Sequence, residues 1–230
     1  MKKYFKAGQI SSWILLTLAV LFLLIIVLMG SGFPATWGML GAFEKSDRCL
    51  QLFRLAVITA FLCLPAWTII IYCIKKIRLN SRTANAAFIL SLAAMVCVGI
   101  AYVTELFVVS PSLSAGSLTP ELRSKLITTD GKMFLLDNIG YFFMGLSSLL
   151  IIPDTARGRS RFLILSGLLI YGLSSVLGLI SVLLSNSFLS MLNLIGMGIS
   201  YPLTGCAFLL YLTITSGPII ERKTTHKKSV

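Results

Sequence analysis

Two acidic residues stand in runs that are otherwise apolar. Glu105 falls in Ala101-Tyr102-Val103-Thr104-Glu105-Leu106-Phe107, and Asp137 falls in Met133-Phe134-Leu135-Leu136-Asp137-Asn138-Ile139. A carboxylate inside an apolar run is expensive to bury and marks a solute path, a proton relay or the counter-charge of a ligand. Tyr102 accompanies the first acid, and Asn138 and Tyr141 accompany the second. Asn193, later in the chain, adds another hydrogen-bonding side chain. These six are the candidates for lining a pocket. Each also has an ordinary reading. Asp137 and Asn138 suit the start of a helix, where Asp and Asn cap exposed N–H groups and a negative charge suits the dipole. Glu105 suits an ion pair with Arg54 or Lys132.

Most chemistry that needs other residue types is missing. The one histidine, His226, lies in a basic C-terminal stretch, which leaves little for His-dependent catalysis and no candidate metal site. No H-E-x-x-H, P-loop or G-x-S-x-G pattern occurs. Asp137 follows Leu136 rather than a tyrosine, so it lacks the Tyr-Asp pairing of intramembrane aspartyl proteases. Four of the five cysteines, Cys63, Cys73, Cys97 and Cys206, lie in apolar runs, where a thiol behaves as a small hydrophobe. Neither a cofactor nor a disulfide framework is expected.

The elements that must position these residues follow from composition. Of 230 residues, 57% are hydrophobic and 12% charged. Soluble domains carry about 25% charged residues, so the bilayer is the natural solvent for this chain. A spanning helix needs roughly 20 predominantly apolar residues, and six segments qualify, at about 11–32, 55–74, 84–109, 133–153, 162–184 and 189–213. The expected fold is therefore an all-α polytopic membrane bundle of six helices forming one domain over 1–230. The first apolar run is too long for a signal-peptide h-region and no A-x-A site follows, so it is expected to be a retained helix.

Charge sets the orientation. Four clusters, Lys2 to Lys6, Lys75 to Arg82, Arg157 to Arg161 and Arg222 to Lys228, hold 14 of the 20 Lys and Arg residues. All four fall on one side if both termini are cytoplasmic, as the positive-inside rule requires. The same clustering explains the net charge of +12 without nucleic acid, which would need a contiguous basic face. The expected partners are membrane lipids, with anionic headgroups at the cytoplasmic face.

Depth then connects the two acids. The third span runs outward and the fourth inward, which brings Glu105 and Asp137 to one level near the outer face, facing one hydrated cavity. Asn193 lies at comparable depth. Ser174, Gly178 and Ser181 in the fifth span, and Gly196, Gly198 and Gly205 in the sixth, are small residues suited to close helix approach. Pro65 and Pro202 should kink their helices. In the long outer connection from Ser110 to Lys132, Thr119-Pro120-Glu121 reads as a cap and helix start. A short surface helix is expected over 120–127, with Asp130-Gly131 turning the chain into the fourth span.

The run Leu52-Phe53-Arg54-Leu55-Ala56-Val57-Ile58 opening the second span, the long connection after the third, and Asn138-Ile139-Gly140-Tyr141 in the fourth together resemble a bacterial family of six-helix membrane proteins known as a domain of unknown function (DUF 4386). The resemblance implies a multi-pass protein of the bacterial cytoplasmic membrane and carries no catalytic residue. Three functions stay open: binding or transport of a small solute or lipid through an outer-facing polar pocket, an accessory subunit that works through a protein partner, and a lipid-modifying membrane enzyme, the last being the least favoured. The topology is directly testable. A reporter active only outside the cytoplasm is expected to be silent when fused after Val230, and activity there would overturn a cytoplasmic C-terminus.

Overall fold

The computed structural model describes residues 2–29, 47–79, 81–115, 119, 132–155, 161–184 and 187–227. Among them there are six long helices and no strand. They are α1 (Lys2–Met29), α2 (Asp47–Ile77), α3 (Arg82–Thr104), α4 (Lys132–Thr155), α5 (Arg161–Leu183) and α6 (Ser187–Lys227). α3 continues through a π-helical turn, Glu105–Val109, into a further helical turn, Ser110–Ser114. All six contain a stretch long and apolar enough to cross a membrane.

The helices exceed the expected spans at several ends. α1 begins at Lys2, so the basic residues expected ahead of the first helix already lie on it. Arg54, expected in a connection, lies within α2, which begins at Asp47. The helical path after α3 runs to Ser114, shortening the next connection. The backbone of α6 stays helical to Lys227, about 61 Å at 1.5 Å per residue, twice the roughly 30 Å of a bilayer core. Apolar content locates the membrane-length portion of a helix, not its ends, because helical hydrogen bonding continues into polar sequence. The short helix expected over 120–127 and the Asp130-Gly131 turn lie outside the described residues.

Each helix packs on its sequence neighbours, and α6 closes the ring against α1. α2 and α3 make the least extensive of these contacts. The centre is filled by Trp67 of α2, Tyr171 of α5 and Phe208 of α6, with Trp67 ring centroids 5.1 Å from Tyr171 and 5.4 Å from Phe208. Leu15, Ile70, Ile74, Val98, Met144 and Ile151 complete the core. The outward surfaces are apolar as well. Phe162 is 82% exposed and Phe107 75%, as befits helices that are hydrophobic all round.

Small residues set the helix spacing. A Cβ on Gly145 of α4 would stand 2.5 Å from Ser175 Cβ and 3.1 Å from Gly172 O of α5. A Cβ on Gly196 of α6 would fall on Ser174 Oγ of α5, and one on Gly140 of α4 would fall on Val98 of α3 and stand 3.1 Å from its backbone N. Ser174 and Gly196 therefore meet across the α5–α6 seam, as expected of their small-residue patterns. Gly205 packs against Leu16 of α1 instead, its added Cβ reaching backbone at 3.2 Å. Gly198 differs, since an added Cβ would meet only Leu23 Cδ2 at 3.5 Å. Overpacking of this kind costs about 1–3 kcal/mol. Gly145→Val and Gly196→Leu are each expected to lower unfolding stability in detergent by that amount, whereas Gly198→Ala leaves it unchanged or raises it.

Candidate functional site

The carboxyl of Asp137 sits among tyrosines. α4 begins at Lys132, so Asp137 and Asn138 lie in its second turn, past the capping positions. The capping reading is thereby corrected: Asp137 is 7% exposed and its side chain turns into the bundle. Tyr102 of α3 lies beside Asp137, and the Tyr102 and Tyr141 hydroxyl oxygens are 2.6 Å apart. Each phenol has one proton to give. The two phenols share one hydrogen bond, in which either can be the donor. The carboxylate's Oδ1 has no hydrogen-bond partner among the described residues.

A second tyrosine pair lies beside the first. Tyr171 of α5 reaches the Tyr201 hydroxyl of α6 at 3.3 Å and Met144 Sδ at 3.6 Å. Tyr201 packs edge-on against both Tyr171 and Tyr141, with centroids 5.1 and 6.5 Å away. Four tyrosines and one aspartate from α3, α4, α5 and α6 thus form a contiguous polar and aromatic core. Deeper in the bundle, hydroxyls bridge helices by donating to neighbouring carbonyls: Ser147 to Ala87 O at 2.9 Å, Ser148 to Leu168 O at 3.0 Å and Thr204 to Gly167 O at 3.2 Å.

Glu105 is fully buried, at 0% exposure, and opens the π-helical turn. It follows Tyr102 by three residues, the spacing that places two side chains on one helix face. π-turns of this kind occur often at functional sites. Arg54, one of the two cations considered for it, donates Nε to Ser110 Oγ and Nη2 to Ser110 O and Ser114 Oγ. The side chain of Lys132, the other cation, lies outside the described residues.

The two asparagines are not joined directly to this group, and Asn193 Oδ1 is buried with no hydrogen-bond partner among the described residues. Asn138 donates Nδ2 to Phe134 O, one turn back on its own helix, at 2.9 Å. Asn193 rests at the α5–α6 seam, where a Cβ on Gly178 would meet its Nδ2 at 2.7 Å. Of the six candidates the structure joins Tyr102, Tyr141 and Asp137 directly, with Glu105 one turn along from Tyr102. Sequence reasoning missed Tyr171 and Tyr201, whose apolar surroundings conceal them. Their only signal was a phenol in the middle of a span.

A third buried acid, Asp154, was missed because it closes the fourth span just after Pro153. Its Oδ2 accepts from Ser81 Oγ at 2.6 Å and Thr83 Oγ1 at 2.7 Å. Ser81 caps α3 by accepting from Ala84 N. Arg78 Nε donates to Asp154 O at 3.1 Å and lies 3.2 Å from Tyr211 OH of α6. The cluster clamps the ends of α2 and α4, the start of α3 and the body of α6. Asp137 and Asp154 are about 26 Å apart along α4 by helical rise, so polar clusters mark both ends of one bundle.

No protein-family model matches the chain, and neither a curated protein nor a solved structure does.

The Asp154 clamp has a measurable weight. Hydrogen bonds to charged groups contribute about 1.5–3 kcal/mol each. Asp154→Ala, which removes both hydroxyls' acceptor, is expected to cost about 3 kcal/mol in denaturant unfolding. Asp154→Asn retains an acceptor oxygen and costs about half. Equal stability of all three proteins would remove the clamp from the account.

Proposed function

We propose that this chain is a multi-pass protein of the bacterial cytoplasmic membrane, with both termini in the cytoplasm. In this reading it binds or passes a small solute or lipid through a hydrated polar pocket in the outer half of the bundle. Glu105, Asp137, Tyr102 and Tyr141 form the working face, and Asn138 and Asn193 flank it. The observation that carries the reading is the burial of Asp137 against Tyr102 and Tyr141 with one carboxyl oxygen lacking a partner. A carboxylate at that depth costs several kcal/mol to hold, and a hydrophobic residue would pack there at no such cost. A group that offers a hydrogen-bond donor or a positive charge is the natural complement. The positive clusters on one side of the spans support the orientation, and the resemblance to the six-helix bacterial family agrees with the membrane assignment.

The test is a thermal-shift screen of the detergent-purified chain against amines, organic acids, sugars and phospholipids. One chemical class is expected to raise the unfolding temperature of the wild type, with the effect abolished in Asp137→Asn and reduced at least tenfold in apparent affinity in Glu105→Gln. If both variants fold and retain the same response, the pocket reading fails, and an accessory subunit that works through a protein partner takes its place.

A further inference from the structure

A cleft of about 560 Å³ opens between α2 and α3, away from the tyrosine core. Its walls are apolar: Phe61 and Pro65 from α2, and Met95, Val96, Gly99 and Ile100 from α3 are among them. Val96 and Ile100 are exposed, so the cleft faces outward from the bundle. Its origin is local. Pro65 lacks the N–H that would continue the α2 ladder, Gly99 contributes no side chain, and the two helices make the loosest neighbour contact in the ring. A Cβ on Gly99 would meet a single atom, Phe61 Cε2 at 3.9 Å, so the position faces open space.

The Thr104 end of the cleft leads towards a cation. Lining residues on α3 run from Met95 to Thr104, about 13.5 Å of helical rise, close to the roughly 15 Å hydrocarbon depth of a single leaflet. Beyond this apolar stretch the same two helices meet at Arg54. Arg54 precedes Phe61 by seven residues, two helical turns on the same face of α2. Its guanidinium donates to Ser110 Oγ, Ser110 O and Ser114 Oγ, all neutral acceptors on the continuation of α3. Those bonds use Nε and Nη2, and among the described residues none uses Nη1. A guanidinium is the side chain best shaped for a phosphate, which it holds by paired N–H donors.

The geometry points to a phospholipid site, in which one acyl chain of an anionic glycerophospholipid fills the α2–α3 cleft and its phosphate sits on Arg54. Height, apolarity and the Arg54 guanidinium beyond the Thr104 end each match one part of such a molecule. The site rests on the bilayer reading given above and is separate from the Asp137 pocket. Its effect is to fill the weakest seam of the ring.

The test uses the full chain reconstituted in nanodiscs of phosphatidylcholine with a minor fraction of phosphatidylglycerol, released and examined by native mass spectrometry. Wild type is expected to retain one phosphatidylglycerol per chain, enriched at least tenfold over its share of the nanodisc. Gly99→Phe, which fills the cleft without touching Arg54, is expected to lose the retained lipid while keeping its unfolding temperature. Arg54→Gln is expected to erase the preference for phosphatidylglycerol, and Arg54→Lys to restore part of it. Retention of both lipids in proportion to their abundance, or retention unchanged in Gly99→Phe, overturns the site. A chain that does not enter nanodiscs contradicts the bilayer reading, an outcome distinct from either.

Discussion

Where α4 meets α5, nothing larger than a hydrogen atom fits at Gly145 without meeting Ser175 and the backbone at Gly172. The same holds where α6 meets α5 at Gly196 and where α4 meets α3 at Gly140. Close backbone approach is the constraint from which the remaining features follow. Helices that are apolar on nearly every face gain little from hiding one side rather than another, so packing quality and short-range hydrogen bonds decide the arrangement. Once the backbones are this close, serine and threonine hydroxyls reach carbonyls on the neighbouring helix, as Ser147, Ser148 and Thr204 do. The larger side chains are left to fill the centre, and Trp67, Tyr171 and Phe208 do so.

The polar groups sort by their distance from the ends. At one end, Asp154 is surrounded by donors from α2 and α3, and every one of these contacts closes a joint between helices. At the other, Asp137 has the Tyr102–Tyr141 pair beside it and an oxygen with no hydrogen-bond partner among the described residues. The contrast separates an acid that holds helix ends together from one whose hydrogen-bonding capacity is incompletely used. Buried polar groups in folded proteins are nearly always satisfied, so an incompletely used one is where a ligand or a transferred proton has a place to act. Glu105 adds to this end of the bundle, because the π-turn it opens inserts an extra residue into the helical ladder and re-aims the side chains beyond it.

Looseness is concentrated in one seam. α2 carries a proline at mid-length and α3 a glycine opposite it, and between them the ring does not close fully. The neighbouring seams lack this combination and pack densely. Arg54 and its serine acceptors bridge the seam at the end nearest the two deep acids. The cleft and the Asp137 cluster therefore share α3, with Tyr102 turned to the interior and Val103 and Thr104 on the cleft wall.

Much of the architecture was legible in the residues alone. Six apolar runs of membrane length specify six helices, because only a helix satisfies every backbone hydrogen bond within such a segment. The isolated acids Glu105 and Asp137 were visible for the same reason: a charge in an apolar run has no local explanation. The local pattern also misled. Asp137 beside Asn138 has the form of a helix cap, yet the helix begins at Lys132 and the acid turns inward. Arg54 looked like a connection residue, and Asp154, just past the fourth span, drew no reading of its own. Which helices become neighbours, and at what rotation, depends on side chains far apart in the chain, such as Gly145 with Ser175 and Ser174 with Gly196. No local periodicity encodes that rotation when a helix is apolar on all faces. Only the tertiary structure, therefore, could bring Tyr141, Tyr102 and Asp137 together, seat Tyr171 and Tyr201 beside them, and leave the cleft between α2 and α3.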